Sequence, residues 1–306
     1  MIDFIGNRRK AYLLSSVLVI ASLISLAFFG LNLGIDFTGG TVLHLNLGED
    51  FSLEEIEAVI APFPELEGAT IQVVQGRDLS GELAEEGLVI KAPYIEESRR
   101  EALMVAFRVQ WPNLDPDDLR IESVGAVVGG ELARQALLSL AVAIALMVAY
   151  ITFRFEFMFA LSTIAALLHN IIIVIGVFSI LRMEINVPFV AAILTVFGYS
   201  VNDTIVIIDR IRENIKHKRR SDYITIVNES INQSLVRSIN TSLTTLFVLI
   251  ALLVGFHYYI GSVDLIVFVI ALILGVFVGT YSSIFIASPL WLNLQELKAR
   301  RLHRSA

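Results

Sequence analysis

Long apolar runs separated by short polar links make up most of this 306-residue chain. Each run is close to the roughly 20 residues that an α-helix needs to cross a bilayer. The runs cover residues 11–33, 132–152, 157–181, 187–209, 236–256 and 262–292. The pattern therefore predicts a polytopic α-helical membrane protein with six transmembrane helices.

The first apolar run follows three basic residues, Arg8, Arg9 and Lys10. Signal peptides and permanent spans both begin in this way, but the apolar core of a signal peptide is only about 7 to 15 residues long. This run is longer, and no small-residue cleavage site follows it. We therefore predict a first transmembrane helix whose amino end lies in the cytoplasm.

A different pattern fills residues 34–130, where short alternating or β-branched stretches predict strands and two stretches have helical periodicity. Ser52 with Glu55 is the signature of a capped helix start. The predicted strands are 41–47, 69–75, 88–92 and 119–125, and the predicted helices are 52–61 and 96–110. The order βαββαβ predicts an α+β ferredoxin-like domain. This fold alone indicates no function.

The chain leaves the first apolar run through the sequence GIDFTGG at residues 34–40. Glycine adopts backbone angles that other residues resist, so the segment is typical of a turn. The plain interpretation is a helix exit.

Composition agrees with a membrane protein, since 56% of the residues are hydrophobic, 17% are charged and the mean hydropathy is +0.73. Cysteine is absent, which excludes disulfides and thiolate metal or redox sites. No metal-ligand spacing, phosphate-binding loop or nucleophile beside a base is present, so we do not expect an enzyme.

The net charge of -7 is unevenly distributed, because residues 36–130 hold 19 acidic and 6 basic side chains whereas the remainder holds 11 acidic and 17 basic. Basic residues favour cytoplasmic loops. They occur at Arg154, in the link 210–220 and in a tail with Lys298, Arg300, Arg301 and Arg304; Arg182 is an exception on the outer side. Both termini are therefore predicted to be cytoplasmic.

The sequence predicts four divisions of the chain. They are a cytoplasmic N-terminus with the first transmembrane helix at 1–33, an extracytoplasmic domain at 34–130, a five-helix membrane bundle at 131–292 and a cytoplasmic basic tail at 293–306.

One carboxylate lies inside an apolar run. Asp203 is roughly 22 Å along the fourth predicted helix from Pro188, in the inner half of a hydrocarbon core about 30 Å thick. A charged side chain there costs at least about 2.5 kcal/mol, so we expect it to be protonated, paired or facing water. Asn202 and Thr204 add polar groups beside it, whereas Asp209 is predicted near the membrane surface.

The fifth run offers Asp203 a partner. Arg237 lies at a comparable depth, and Thr241 and Thr244 fall on the same helical stripe. Further polar groups in this run are Ser234, Asn240, Ser242 and Thr245. Two interpretations fit Arg237: it faces Asp203, or it extends to the interface. If the two residues face each other, they form either a proton relay or a static ion pair.

Other polar and small residues in the runs predict helix contacts. His169 and Asn170 are typical of interhelical hydrogen bonding and could also extend a proton path. Gly275 and Gly279, with Ser282 and Ser283, predict close helix packing or a surface for another membrane subunit.

Three segments together resemble the signature segments of the SecD/SecF family of protein-export membrane proteins, which is related to the RND exporters. They are GIDFTGG at 34–40, GYSVNDTIVIIDRIREN at 198–214 and VRSINTSLTTL at 236–246. The resemblance covers the whole chain and fits a stand-alone member rather than a fused SecDF chain. It implies an inner (cell) membrane location and a partner SecD.

The resemblance also implies a function. Family members use the proton-motive force to assist late steps of preprotein translocation through SecYEG after SecA, with YajC and YidC as further candidate partners and protons, not a cofactor, as the coupling species. The family's proton-transfer residues fall on Asp203 and Arg237. Supporting polar groups would be Asn202, Thr204, Asn240 and Thr241, and a structural or hinge role falls on Gly34, Asp36, Gly39 and Gly40. The alternatives are an RND-type small-molecule exporter subunit and a passive assembly scaffold.

Overall fold

The structure is a computed structural model that describes residues 1–46, 51–67, 69–77, 83–112, 119–217, 222–260 and 262–304. The helices are α1 (Arg8–Phe29), α2 (Ile35–Thr38), α3 (Leu53–Ile60), α4 (Glu97–Gln110), α5 (Ala126–Arg154), α6 (Phe157–Ile180), α7 (Val187–His217), α8 (Tyr223–Gly255), α9 (Val263–Ser282) and α10 (Ser288–Arg304). The strands are β1 (Asn32–Leu33), β2 (Gly40–Asn46), β3 (Thr70–Arg77), β4 (Leu83–Ala92), β5 (Leu119–Val124) and β6 (Glu184–Ile185). Two π-helical segments, Phe256–Ile260 and Ser283–Ala287, follow α8 and α9.

Within these described ranges, six helical segments are long and apolar enough to cross a membrane. They are α1, α5, α6, α7, α8 with its π-helical extension, and α9 continuing into α10. Each overlaps one of the six predicted apolar runs. The prediction of six transmembrane helices is therefore confirmed at the level of helix length and composition.

The ends of the helices differ from the predicted ends. The first helix stops at Phe29 rather than continuing to residue 33, because Gly30 adopts a positive φ of 65°. Most of the predicted basic link 210–220 is helical, since α7 continues to His217 and α8 already begins at Tyr223; residues 218–221 lie outside the described residues. An amphipathic face explains this extension, because Ile211, Val227 and Ile231 remain buried beyond the apolar runs.

The chain divides into two compact units, of which the first comprises Met1–Asn32, Leu138–Val254 and Asp264–Ala306. In this unit α6 contacts α1, α7 and α10. Its core includes the Phe159 ring stacked on Trp291 with centroids 4.4 Å apart. Burial is uneven. In the most apolar stretches of α6 and α7 56% of residues are buried, but only 6% in α5 and 11% in α8.

The segment before α1 packs against α8 in the same unit. The side chain of Asn228 accepts hydrogen bonds from the backbone N–H groups of Phe4 at 2.8 Å and Ile5 at 3.3 Å, and Asn232 accepts one from Ile2 at 2.9 Å. The Phe4 ring is buried and meets the Phe285 ring edge-on at 5.5 Å. Residues 1–7 thus pack against both α8 and the π-helical segment after α9.

The second unit comprises Leu33–Leu137 and Gly255–Val263. Its elements follow in the order β2, α3, β3, β4, α4, β5, and the strands form one antiparallel sheet in the order β3-β4-β2-β5. Leu43 in β2 pairs with Ile90 and Ile121 on its two sides. Helices α3 and α4 contribute Ile56, Leu103 and Phe107 to the core. The predicted capping box is confirmed, because Ser52 and Glu55 bond each other's backbone N–H groups.

Candidate functional site

Helix α7 carries Asp203 on its buried face, where the side chain is only 7% exposed. Ser238 on α8 and Ser283, at the start of the π-helical segment after α9, lie beside its carboxyl group. Oδ2 of Asp203 and Oγ of Ser238 have no well-formed hydrogen bond among the described residues. Three parts of the chain therefore converge on one acidic side chain inside the membrane-spanning unit.

The groups nearest to Asp203 are hydroxyls. A hydroxyl can donate a hydrogen bond to a carboxylate and accept one from a carboxylic acid. Such neighbours are compatible with both protonation states, whereas an adjacent fixed cation would strongly favour the ionised state. The surroundings of Asp203 therefore suit a group that gains and loses a proton.

Arg237 is exposed, although it is close enough to Asp203 to attract it electrostatically. None of the ion pairs in the described part of the chain joins these two residues. Helix geometry explains this, because neighbouring residues point about 100° apart and Ser238 occupies the inward direction. The static ion pair that the sequence allowed is not formed within the described chain.

Of the four predicted supporting residues, one is buried near Asp203 and three are exposed. Thr204 is buried and its hydroxyl lies 2.8 Å from that of Ser283. Asn202, Asn240 and Thr241 are exposed, so they are not brought to the carboxyl group of Asp203. The exposed polar residues of α8 include Arg237, which leaves a polar stripe on the outside of the unit.

Sequence reasoning missed Ser200 and Ser238, and it assigned Ser283 to helix packing or to a surface for another membrane subunit. The available signal was a spacing of four residues, because Val196, Ser200 and Thr204 lie on one face of α7. Gly275 and Gly279 of α9 meet this face: a Cβ atom added at Gly275 would lie 2.1 Å from Val196 Cγ2, and one at Gly279 3.2 Å from Ser200 Cβ. The predicted close helix packing is confirmed, and its partner is α7.

His169 and Asn170 also belong to this buried polar region. Asn170 Nδ2 donates to Ser200 Oγ at 2.9 Å, and Asn170 Oδ1 lies 3.1 Å from His169 Nδ1. The His169 ring lies against that of Tyr281, with centroids 6.3 Å apart. These contacts are interhelical hydrogen bonding and packing between α6, α7 and α9.

The glycine motif lies in the second unit. Gly34 caps the short helix α2, which corrects the interpretation of this segment as a simple turn, and Asp36 lies in its first turn. Gly39 has φ of 73°, and a Cβ atom there would lie 2.7 Å from the Cα of Ala126. Gly40 is buried at the start of β2. These close backbone approaches favour glycine for a structural reason.

Family comparisons match most of the chain. The family model described as "Protein export membrane protein SecD/SecF, C-terminal" matches residues 109–297. A second family model, the "SecD/SecF GG Motif", matches residues 24–48. The two matches include all the candidate site residues.

Curated SecF relatives are similar over nearly their full length. The protein translocase subunit SecF of Sebaldella termitidis is 38% identical over 95% of this chain and 91% of its own. That of Desulfurispirillum indicum is 39% identical over 94% of this chain and 90% of its own. The protein translocase subunit SecDF of Thermus thermophilus is 38% identical over 95% of this chain but only 38% of its own.

Solved structures give the same result. The crystal structure of SecDF, a translocon-associated membrane protein from Thermus thermophilus, matches with a TM-score of 0.81 at 36% identity over 96% of this chain. The crystal structure of SecDF in a super-membrane-facing form matches with a TM-score of 0.68 at 32% identity. The chain spans 39% and 40% of those two chains.

Proposed function

The chain belongs to the SecD/SecF family of protein-export membrane proteins, and on this basis we propose that it uses the proton-motive force to assist late steps of preprotein translocation through SecYEG. In this proposal Asp203 binds and releases the coupling proton. Arg237 supplies a positive charge whose distance from Asp203 changes during the cycle, and no cofactor takes part.

One observation carries the proposal. Asp203 is a buried carboxyl group in a membrane-spanning helix, surrounded by hydroxyls and without an ion-pair partner among the described residues. Ionisable residues in such positions are expensive, and they mark proton and ion pathways in membrane proteins. A static structural pair would instead place the cation against the acid.

The available energy is sufficient for a conformational step. One elementary charge that crosses a potential of 100 mV releases about 2.3 kcal/mol. Because about 1.4 kcal/mol changes an equilibrium constant tenfold, one proton can shift a two-state equilibrium by a factor of a few tens. We propose that this shift moves the second unit while it contacts an emerging polypeptide.

We propose SecD as the direct partner in the membrane. Relatives in which SecD and SecF form a single SecDF chain support this, as do the sparsely buried surfaces of α5 and α8. SecYEG, preproteins delivered by SecA, YajC and YidC complete the proposed set of partners.

The proposed arrangement places the chain in the inner membrane with both termini in the cytoplasm. The residues between α1 and α5, which belong to the second unit, are proposed to form an extracytoplasmic domain of the ferredoxin-like type. Its four-stranded antiparallel sheet, in the order β3-β4-β2-β5, supports that assignment. The distribution of basic residues supports the orientation.

The decisive experiment compares Asp203→Asn with the native chain in inner-membrane vesicles that contain SecD and SecYEG. We expect the variant to lose proton flux and the potential-dependent part of preprotein export, because an amide cannot carry the proton. Asp209→Asn is the matched control, since Asp209 on the same helix is exposed and paired with Arg212 at 3.5 Å. Undiminished flux and export in Asp203→Asn would refute the proposed role.

A further inference from the structure

The transmembrane segment after Val263 changes its helical form beside the acid site. Helix α9 ends at Ser282, the π-helical turn Ser283–Ala287 follows, and α10 then begins at Ser288. A π turn accommodates one extra residue in a helix and is often found at functional sites. Its first residue, Ser283, is one of the two serines beside Asp203.

Two series of residues spaced four apart bring Ser283 to this position. Val196, Ser200 and Thr204 on α7 face Gly275, Gly279 and Ser283, respectively. The glycines allow the two helices to approach closely. Ser283 occupies the third position of its series, where a hydroxymethyl side chain takes the place of a glycine hydrogen and its hydroxyl contacts α7 directly.

The contacts of the Ser283 hydroxyl are well defined. Its Oγ lies 2.8 Å from Thr204 Oγ1, 2.9 Å from the carbonyl oxygen of Gly279 and 3.4 Å from that of Ser200. Ser283 is completely buried. These contacts leave the hydroxyl few alternative rotamers, so its place beside Asp203 is fixed by both helices.

The neighbouring serine provides an internal comparison. Ser282 is also completely buried, and its hydroxyl donates to the same carbonyl oxygen, that of Gly279, at 3.0 Å. Among the described residues, however, only Ser283 of this pair is hydrogen-bonded to α7. Substitution of Ser282 therefore reports the general effect of losing a buried serine, whereas substitution of Ser283 also reports its specific effect on Asp203.

We propose that Ser283 is a positioning residue for the Asp203 carboxyl group and links the protonation state of Asp203 to the π-helical turn. A hydroxyl has a single hydrogen to donate. When Asp203 is ionised, Ser283 donates that hydrogen to the carboxylate. When Asp203 is protonated, the acid donates to Ser283 Oγ, and the hydroxyl hydrogen returns to a backbone carbonyl.

The importance of this exchange for transport rests on the proposed function, but the hydrogen bond itself does not. Each change of protonation exchanges one hydrogen bond at the first residue of the π turn. The hydrogen bonding at the junction of α9 and α10 therefore changes with the charge of Asp203 on α7.

The test uses the full chain in lipid vesicles and compares Ser283→Ala, Ser283→Thr and Ser282→Ala. Infrared difference spectra over a pH titration identify the carbonyl band of protonated Asp203 by its loss in Asp203→Asn. We expect Ser283→Ala to move this band to higher frequency, because the acid loses a hydrogen-bond partner. Ser283→Thr should restore the band position, and Ser282→Ala should leave it unchanged.

Proton flux in vesicles with SecD and SecYEG gives a second measurement. We expect a decrease of about tenfold for Ser283→Ala, as for the loss of one hydrogen bond to a charged or ionisable group, and recovery in Ser283→Thr. An unmoved band in Ser283→Ala, equal shifts in Ser282→Ala, or no Asp203 band at any pH would overturn the inference. Normal flux in Asp203→Asn would refute the transport proposal alone, since the band still tests Ser283.

Discussion

At the scale of single residues, the environment of Asp203 determines what this acid can do. Its neighbours are the hydroxyls of Ser238 and Ser283, while Arg237 remains exposed. A buried carboxylate bound to an adjacent cation would be difficult to protonate. Hydroxyl neighbours hydrogen-bond both states and so remove part of the obstacle to repeated proton transfer.

The double variant Asp203→Ala with Arg237→Ala distinguishes this role from a passive scaffold. A scaffold held by a static pair tolerates the simultaneous removal of both charges, because no uncompensated charge remains. We expect the double variant instead to have as little potential-dependent export as Asp203→Asn. The measurement is export into vesicles with and without a membrane potential, with the amount of inserted chain as control. Retention of export would favour the scaffold.

The sequence located Asp203 but not its surroundings. Its depth in the membrane is a prediction from counting residues in an apolar run, because helix rise is constant. Ser238 was not predicted, since the sequence does not specify which face of α8 meets α7. The rotation of α8 decided that Ser238 faces inward and Arg237 outward, and this rotation depends on packing along the whole helix.

At the scale of elements, small residues control how close α7 and α9 come. Gly275 and Gly279 face Val196 and Ser200 on α7, and this spacing places Ser283 against Thr204. Membrane helices associate through such close packing because lipid provides no hydrophobic driving force between them. The packing of the helices and the geometry at Asp203 are therefore coupled.

Gly275→Ala should destabilise the membrane unit. The new Cβ atom would lie 2.1 Å from Val196 Cγ2 and 2.9 Å from Val196 Cβ, so the helices must move apart. Overpacking of this kind costs about 1–3 kcal/mol. We expect the midpoint of thermal unfolding in nanodiscs to fall by about 2–4 °C for each kcal/mol lost.

Gly198→Ala on α7 is the matched control, because nothing lies within 4 Å of a Cβ atom at that glycine. Alanine favours a helix by up to about 1 kcal/mol over glycine, so this variant should be as stable as the native chain or more stable. Equal unfolding midpoints for Gly198→Ala and Gly275→Ala would contradict the close contact.

Helices α7 and α8 show that hydropathy alone misplaces the end of one helix and the start of the next. The apolar run of the fourth helix ends at residue 209 and that of the fifth begins at residue 236. Helix α7 nevertheless continues to His217, and α8 already begins at Tyr223. Inside those extensions Asn214 donates to Ser230 at 2.8 Å, and apolar residues face one another. A membrane-length criterion detects only the part of a helix that is apolar on all sides.

At the scale of the whole molecule, the sparse burial of α5 and α8 contrasts with that of α6 and α7. Lipid can cover the apolar residues of α5. It does not satisfy the exposed side chains of Arg237 and Asn240 on α8, because polar groups in hydrocarbon need partners. The surface of α8 therefore supports the proposal that another membrane chain completes this protein.

Single cysteines would test the proposed orientation, since the native chain has none. We expect a membrane-impermeant maleimide to label Glu101→Cys in intact cells, because this exposed residue lies in the unit proposed to face outward. Lys216→Cys, exposed at the end of α7, should be labelled only after permeabilisation. The reverse labelling pattern would contradict the orientation, and labelling of both in permeabilised cells controls for reactivity.

The sequence by itself determined the six apolar helices long enough to cross a membrane and the strand and helix stretches between the first two. These features depend on the length, periodicity and composition of contiguous segments, which local physical chemistry fixes. Only the tertiary structure decided that Ser238 and Ser283, rather than Arg237, lie against Asp203 and that Gly275 and Gly279 pack on α7. Those contacts depend on how each helix is rotated and how closely it approaches its neighbours, and residues far apart in sequence set both quantities together.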